Sequence, residues 1–163
     1  MLDKAMLENI EIKQGTVIRL AQKKRVLAID YGTKRIGLAQ SDPLGLFAQP
    51  VGTYDRAGLL KALQTMLESN EVEKIIVGYP LSDTGDRNAM TGVLDRFIED
   101  LREAFPCAAI ETINEHHSSR DAQQILIASG TSRKKRNQKG RLDSAAACVL
   151  LSDYLETIVD QKR

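Results

Sequence analysis

The stretch that decides the fold is Val26-Leu27-Ala28-Ile29-Asp30-Tyr31-Gly32-Thr33-Lys34-Arg35-Ile36-Gly37-Leu38-Ala39-Gln40. It opens with four apolar side chains and then a carboxylate, the pattern of a buried strand that reaches solvent at its C-terminal end. Arg35–Gln40 reads as a second strand. The link Tyr31-Gly32-Thr33-Lys34 is too short for a crossover, so the two strands form an antiparallel hairpin. Downstream, Phe47–Tyr54 reads as a third, weaker strand. Pro50 has no N–H to give to a ladder and suits only an edge or a bulge.

After this meander the period changes. Leu59, Leu60, Leu63 and Leu67 share one face of a helix over 56–69. Lys74–Val77 is a fourth strand, closed by Gly78-Tyr79-Pro80 and followed by a polar loop over 81–87. Val93, Leu94, Phe97, Ile98, Leu101 and Phe105 make an amphipathic helix over 88–105 that stops before Pro106. Ala109–Ile113 is a fifth strand. Ser118 and Asp121 have the spacing of a capping box, with Ala122, Ile125 and Leu126 on one face behind it and Gly130 closing that helix. Residues 131–141 form a basic loop, and a last helix runs from Leu142 to Ile158. A hairpin followed by βαβ crossovers makes an α/β fold: a mixed five-stranded sheet with helices packed on both faces. With the first, fourth and fifth strands parallel, Asp30, Gly78 and Glu115 come to one sheet edge, where open α/β sheets hold ligands.

At 163 residues the chain is the size of one domain. Its 42% hydrophobic and 28% charged residues are the balance of a soluble globular protein. The longest purely apolar run, Ala145–Leu151, is far short of a membrane span, so no membrane partner is expected. Asp3, Glu8 and Glu11 interrupt the first 25 residues, which do not read as a secretory signal. The expected location is cytoplasmic. Residues 1–24 have little periodicity and are broken by Gly15. They read as an N-terminal appendage, open to partial order, ahead of a single domain over 25–163. Cys107 and Cys148 form no CxxC pair and sit in apolar settings, as reduced core thiols do. With His116 and His117 the only histidines, zinc on His and Cys ligands is disfavoured.

The net charge of +1 hides a segregated distribution. Residues 26–132 hold nine Lys/Arg against fifteen acids, whereas Arg133–Arg141 holds six Lys/Arg and no acid. An acidic body with one basic strip argues against coating of nucleic acid and leaves room for a local phosphate contact, favoured here over a merely solvated loop. The strip has no aromatic residue, so base stacking is not its mode.

Asp30, Glu115 and Asp143 carry the chemistry. Alone, Asp30 reads as a turn former before Gly32, Glu115 as a solvated strand end, and Asp143 as a residue in the first turn of the last helix, favoured by the dipole. Together at one sheet edge they repel one another. Such a set requires a divalent cation or a raised pKa, and all-oxygen ligation suits Mg²⁺ or Mn²⁺. The small residues Ser144-Ala145-Ala146-Ala147 let the helix approach the sheet and bring Asp143 towards the other two.

These residues resemble the YqgF/RuvX family of RNase H-like nucleases, described as pre-16S rRNA nucleases or Holliday junction resolvases. The likeness covers residues 26–155. It rests on Ala28–Ala39, on Val77-Gly78-Tyr79-Pro80-Leu81 with Gly85, on Asn114-Glu115 with Ser118-Ser119, and on Lys139–Ala147. It implies an RNase H-like fold and a hydrolase with an acidic triad of Asp30, Glu115 and Asp143 as both catalytic residues and metal ligands. It also implies two-metal phosphodiester hydrolysis. The expected substrate contacts are Lys34, Arg35, Ser119, Arg133, Lys134, Lys135, Arg136, Lys139 and Arg141. The family usually has Arg directly after the residue matching Glu115. Here His116 stands there, followed by His117, and the pair reads equally as a polar strand-to-helix connection or as a phosphate contact with an altered grip or pH optimum.

The partner is nucleic acid, with an RNA precursor of the ribosome favoured over branched DNA, bound by a monomer or a homodimer. Two rival functions are a Holliday junction resolvase and a non-catalytic nucleic-acid-binding module. An actin-like ATPase is disfavoured, because the chain lacks a second Asp-x-Gly-Thr element and room for a second such domain.

Overall fold

A computed structural model describes residues 10–13, 16–19, 24–80, 87–114 and 139–161. Ahead of the main sheet, β1 (Ile10–Lys13) and β2 (Thr16–Arg19) pair as an antiparallel hairpin. Four residues per strand carry too little periodicity to announce it.

The main sheet contains β3 (Arg25–Tyr31), β4 (Ile36–Ser41), β5 (Ala48–Tyr54), β6 (Val72–Tyr79) and β7 (Ala109–Asn114). Its spatial order is β5-β4-β3-β6-β7. β3 and β4 form the expected antiparallel hairpin, with Asp30 opposite Gly37. β6 runs parallel to β3, and β7 parallel to β6. Pro50 lies on the edge strand β5, where the register slips. Leu38 faces Gly52, Ala39 faces Pro50, and Val51 is left over as a bulge. An edge with a bulge is where a residue without an N–H costs the ladder least.

Helix α1 (Arg56–Glu68) begins at Asp55, whose carboxylate accepts the Gly58 N–H at 2.7 Å. Helix α2 (Ala89–Ala104) opens with a reciprocal cap between Asn88 and Thr91. Helix α3 spans Lys139–Asp160. Strand alternation divides these helices between the faces. Leu27, Ile29, Leu38, Ile75 and Val77 pack with Leu59 and Leu63 of α1 and Leu94, Phe97, Ile98 and Leu101 of α2. Val26, Ala28, Ala39 and Ile76 pack with Ala147, Cys148, Leu150, Leu151 and Leu155 of α3. Period 2 in the strands thus gives one sheet two cores.

Three expectations are corrected. Val93 is exposed, because it lies a step of about 100° from Leu94 and outside the 94-97-98-101 stripe. Cys107 is exposed, since the turn after Pro106 carries it out of the layers. Cys148 is buried in the second core, and that burial pushes its thiol up to about 11. The third concerns α3, which starts at Lys139 and not at Leu142, so Lys139, Gly140 and Arg141 are helical. Glycine costs a helix only about 1 kcal/mol, which the long buried stretch behind it offsets. The helix over 118–130 lies outside the described residues. No helix among the described residues is long and apolar enough to cross a membrane.

The β4–β5 connection is organised by one carboxylate. Asp42 accepts the N–H groups of Leu44 at 3.1 Å, Leu46 at 2.6 Å and Phe47 at 2.8 Å. Desolvation raises its pKa, but these backbone donors outweigh that and hold it below the ordinary carboxylate value. A depressed folded pKa means stability that is present above the unfolded value and lost as pH falls through the folded one. Asp42→Ala is therefore expected to cost about 1 kcal/mol at neutral pH. The Tm gap to wild type should narrow in acid. A gap that stays constant from pH 7 to pH 2.5 would show that the charge is not the organiser.

Candidate active site

The site is built at the C-terminal edge of the parallel strands. Ile29 is level with Val77, Gly78 with Ile113, and Tyr79 with Asn114, so the ends of β3, β6 and β7 share that edge. Val26 and Ala28 pack on α3, which makes Asp30 the next position of β3 on the same face. Asp30 is half-buried.

Asp143 is brought to this face by a close approach of helix to sheet. A Cβ built on Gly37 would lie 2.0 Å from the Asp143 carbonyl oxygen, 2.4 Å from its carbonyl carbon and 3.0 Å from the Ser144 nitrogen. No side chain fits there. Gly37 is directly opposite Asp30, and opposed residues of an antiparallel pair share a face with their Cα atoms about 4.5–5.5 Å apart. The backbone of Asp143 thus rests beside Asp30. Ala28, Ala39 and Ala147 extend the same close contact along the helix.

The electrostatics of Asp143 are unusual. Its Oδ2 is shut off from solvent and, among the described residues, accepts no hydrogen bond. Arg35 Nε lies 3.2 Å from that oxygen, near enough for Coulomb attraction but not aligned for a hydrogen bond. A shielded carboxylate oxygen with unsatisfied lone pairs is costly. It is also a hard donor of the kind that Mg²⁺ or Mn²⁺ accepts, so the donor chemistry at Asp143 fits a divalent cation. Among the described residues no group of three or more His, Cys, Asp or Glu side chains comes together.

The structure brings Asp30, Lys34, Arg35 and Asp143 to one region. Lys34 and Arg35 are exposed on the β3–β4 link. That link is tight, since a Cβ on Gly32 would meet the Arg35 carbonyl oxygen at 2.5 Å. Lys139 and Arg141 lie in the first turn of α3. Asp143 is the fifth residue of α3 and not in its first turn, so the dipole argument is corrected: that effect fades beyond the first turn. Glu115, His116, His117, Ser119, Arg133, Lys134, Lys135 and Arg136 lie outside the described residues. Across the sheet from α3, the Tyr79 hydroxyl donates to Asp95 at 2.8 Å. Burial and then Asp95 push the Tyr79 phenol up.

The family described as "RuvX: Holliday junction resolvase" matches residues 24–157. The chain belongs to the RuvX family. A relative from Chlorobium chlorochromatii (strain CaD3), named "Putative pre-16S rRNA nuclease", is 67% identical over 133 residues, covering 82% of this chain and 95% of its own. One of the same name from Chlorobaculum tepidum is 58% identical, covering 82% of this chain and 94% of its own. Among solved structures, "T. thermophilus RuvC in complex with Holliday junction substrate" is 15% identical with a TM-score of 0.49, over 83% of this chain and 96% of that one. The family match and these relatives bear out the resemblance drawn from the motifs, and the chain has the mixed five-stranded sheet expected of it.

Sequence reasoning did not single out Gly37 as the residue that seats Asp143. Its signal is a glycine inside an otherwise apolar strand, which marks close approach of another backbone. In this RuvX-family protein Gly37→Ala should force α3 off the sheet, at about 1–3 kcal/mol. That corresponds to a Tm fall of roughly 2–12 °C for a chain of this size. Cleavage should fall further than in Leu59→Ala, which damages the opposite core. Unchanged stability and rate in Gly37→Ala would show that the close approach is not required.

Proposed function

We propose that the edge bearing Asp30 and Asp143 is the cleavage site of a metal-dependent nuclease, with Glu115 as the third carboxylate. The observation that carries this reading is the seating of Asp143 against Gly37, beside Asp30, with a shielded oxygen that no hydrogen bond satisfies. Glu115 follows Asn114 and is two positions beyond Ile113, which packs on the α3 side of β7. Asp30, Glu115 and Asp143 would hold Mg²⁺ or Mn²⁺. Bound there, such ions would supply activation of a water nucleophile and stabilisation of the leaving oxygen. The chain's own work is positioning. Close helix-to-sheet contact fixes Asp143, strand pairing fixes Asp30, and the basic residues bring in the phosphate. Each carboxylate is a ligand, so no histidine base is required.

Lys34, Arg35, Ser119, Arg133, Lys134, Lys135, Arg136, Lys139 and Arg141 are the proposed substrate contacts. The substrate is a precursor of ribosomal RNA, cut near the 5′ end of the 16S sequence, in the cytoplasm. Two things support this choice: the name shared by the relatives, and the segregated charge. An acidic body repels the four duplex arms of a junction, while one basic track suffices for a single-stranded or end-proximal segment.

Asp30→Asn, Glu115→Gln and Asp143→Asn should each lower cleavage by at least about a hundredfold, since even outer-sphere partners of a metal cost 10–100-fold. The fold should survive, and excess chelator should abolish activity in the wild type. Full activity in any one variant would remove that residue from the set.

The substrate is tested by competing labelled RNA precursor against a labelled four-way junction at near-physiological salt and equal Mg²⁺. Cleavage of the RNA is expected. Paired symmetric nicking of the junction with the RNA left intact would reverse the choice. In the same assay, changing Arg133, Lys134, Lys135 and Arg136 to Ala should flatten the log–log salt dependence by roughly 0.7 per lost contact to single strand.

A further inference from the structure

Among the described residues, Arg35 is the cation that faces Asp143, and it faces it imperfectly. Its Nε is 3.2 Å from Oδ2, yet that oxygen accepts no hydrogen bond. Arg35 therefore offsets the charge of Asp143 without satisfying its lone pairs. The two side chains are 43% and 25% exposed, a setting in which an ion pair is weak and easily exchanged. A hard divalent ion needs no aligned proton and approaches a carboxylate oxygen to about 2.0–2.1 Å, so it competes well for the same atom.

The backbone around Arg35 is held, while its side chain is 43% exposed. The Arg35 carbonyl oxygen is packed against Gly32, and Ile36 enters the β4 ladder opposite Tyr31. The guanidinium can swing on its long stem but stays at the mouth of the site. Once off Oδ2, it presents a planar set of donors that matches a phosphate.

We infer that Arg35 is a metal-gated phosphate contact. In the metal-free protein it holds Asp143. A divalent cation displaces it from Oδ2, and the freed guanidinium then binds the substrate's phosphate beside the carboxylates. Cation and nucleic acid thus bind in a favoured order, because the first ligand releases the group that the second requires. The inference rests on the metal site proposed above.

The test uses the full chain as wild type, Arg35→Gln and Arg35→Lys. Mn²⁺ binding is followed by calorimetry, and binding of a non-cleavable single-stranded RNA is followed over a range of salt. Arg35→Gln should bind Mn²⁺ about two- to fivefold more tightly, having lost the competitor. With saturating Mn²⁺, its log–log salt slope for RNA should be shallower than wild type by roughly 0.7, the loss of one phosphate contact. In chelator the two slopes should coincide, because Arg35 is then engaged by Asp143. Arg35→Lys should restore most of the slope.

A slope difference already present in chelator, or none in Mn²⁺, overturns the gating. Unchanged or weaker Mn²⁺ binding in Arg35→Gln overturns the displacement while leaving the metal site standing. Failure of both proteins to bind Mn²⁺ would overturn the metal site and this inference with it.

Discussion

The contact on which the rest depends is that of the α3 backbone with Gly37. Helices usually meet sheets through side chains, and every side chain between them adds slack to where the helix sits. Here the Asp143 carbonyl occupies the place of a Cβ. The helix start is therefore referenced to the sheet backbone itself. Ala28, Ala39 and Ala147 continue the approach with the smallest side chains available. A carboxylate mounted on such a seat has little freedom, which is the condition for a pre-organised site.

Strand β3 makes that seat useful. It feeds one core with Leu27 and Ile29 and the other with Val26 and Ala28. Asp30 follows in the second set. A slip of one residue would turn Asp30 to the wrong face and exchange the two cores. Register is pinned at the other end of the strand by Ser41, whose hydroxyl accepts the Val26 N–H at 2.9 Å and whose carbonyl accepts from Arg25 at 3.0 Å. A buried serine far from the edge that bears Asp30 thus helps fix which way that carboxylate points.

Charge is arranged so that the site does not stabilise the fold. The half-exposed Arg35–Asp143 pair contributes little by itself, and the shielded oxygen carries a cost. Stability comes instead from the two apolar cores, and the unsatisfied group is concentrated where function would use it.

Much of the fold was legible because its signals are local. The apolar run of 26–29 ended by Asp30, the leucine spacing in 59–67 and the isolated Pro50 each act within a few residues, so the local order of residues suffices to read them. The carboxylates at Asp30 and Asp143 were legible as residues, and the family motifs pointed to them. What only the tertiary structure decided is that Gly37 rather than the alanines seats Asp143, that the seat lies opposite Asp30, and that Arg35 leans on Asp143 Oδ2. Each of these joins segments distant in the chain. No local period encodes how far a helix sinks onto a sheet, because that depth is set by the side chains missing from both layers once they meet.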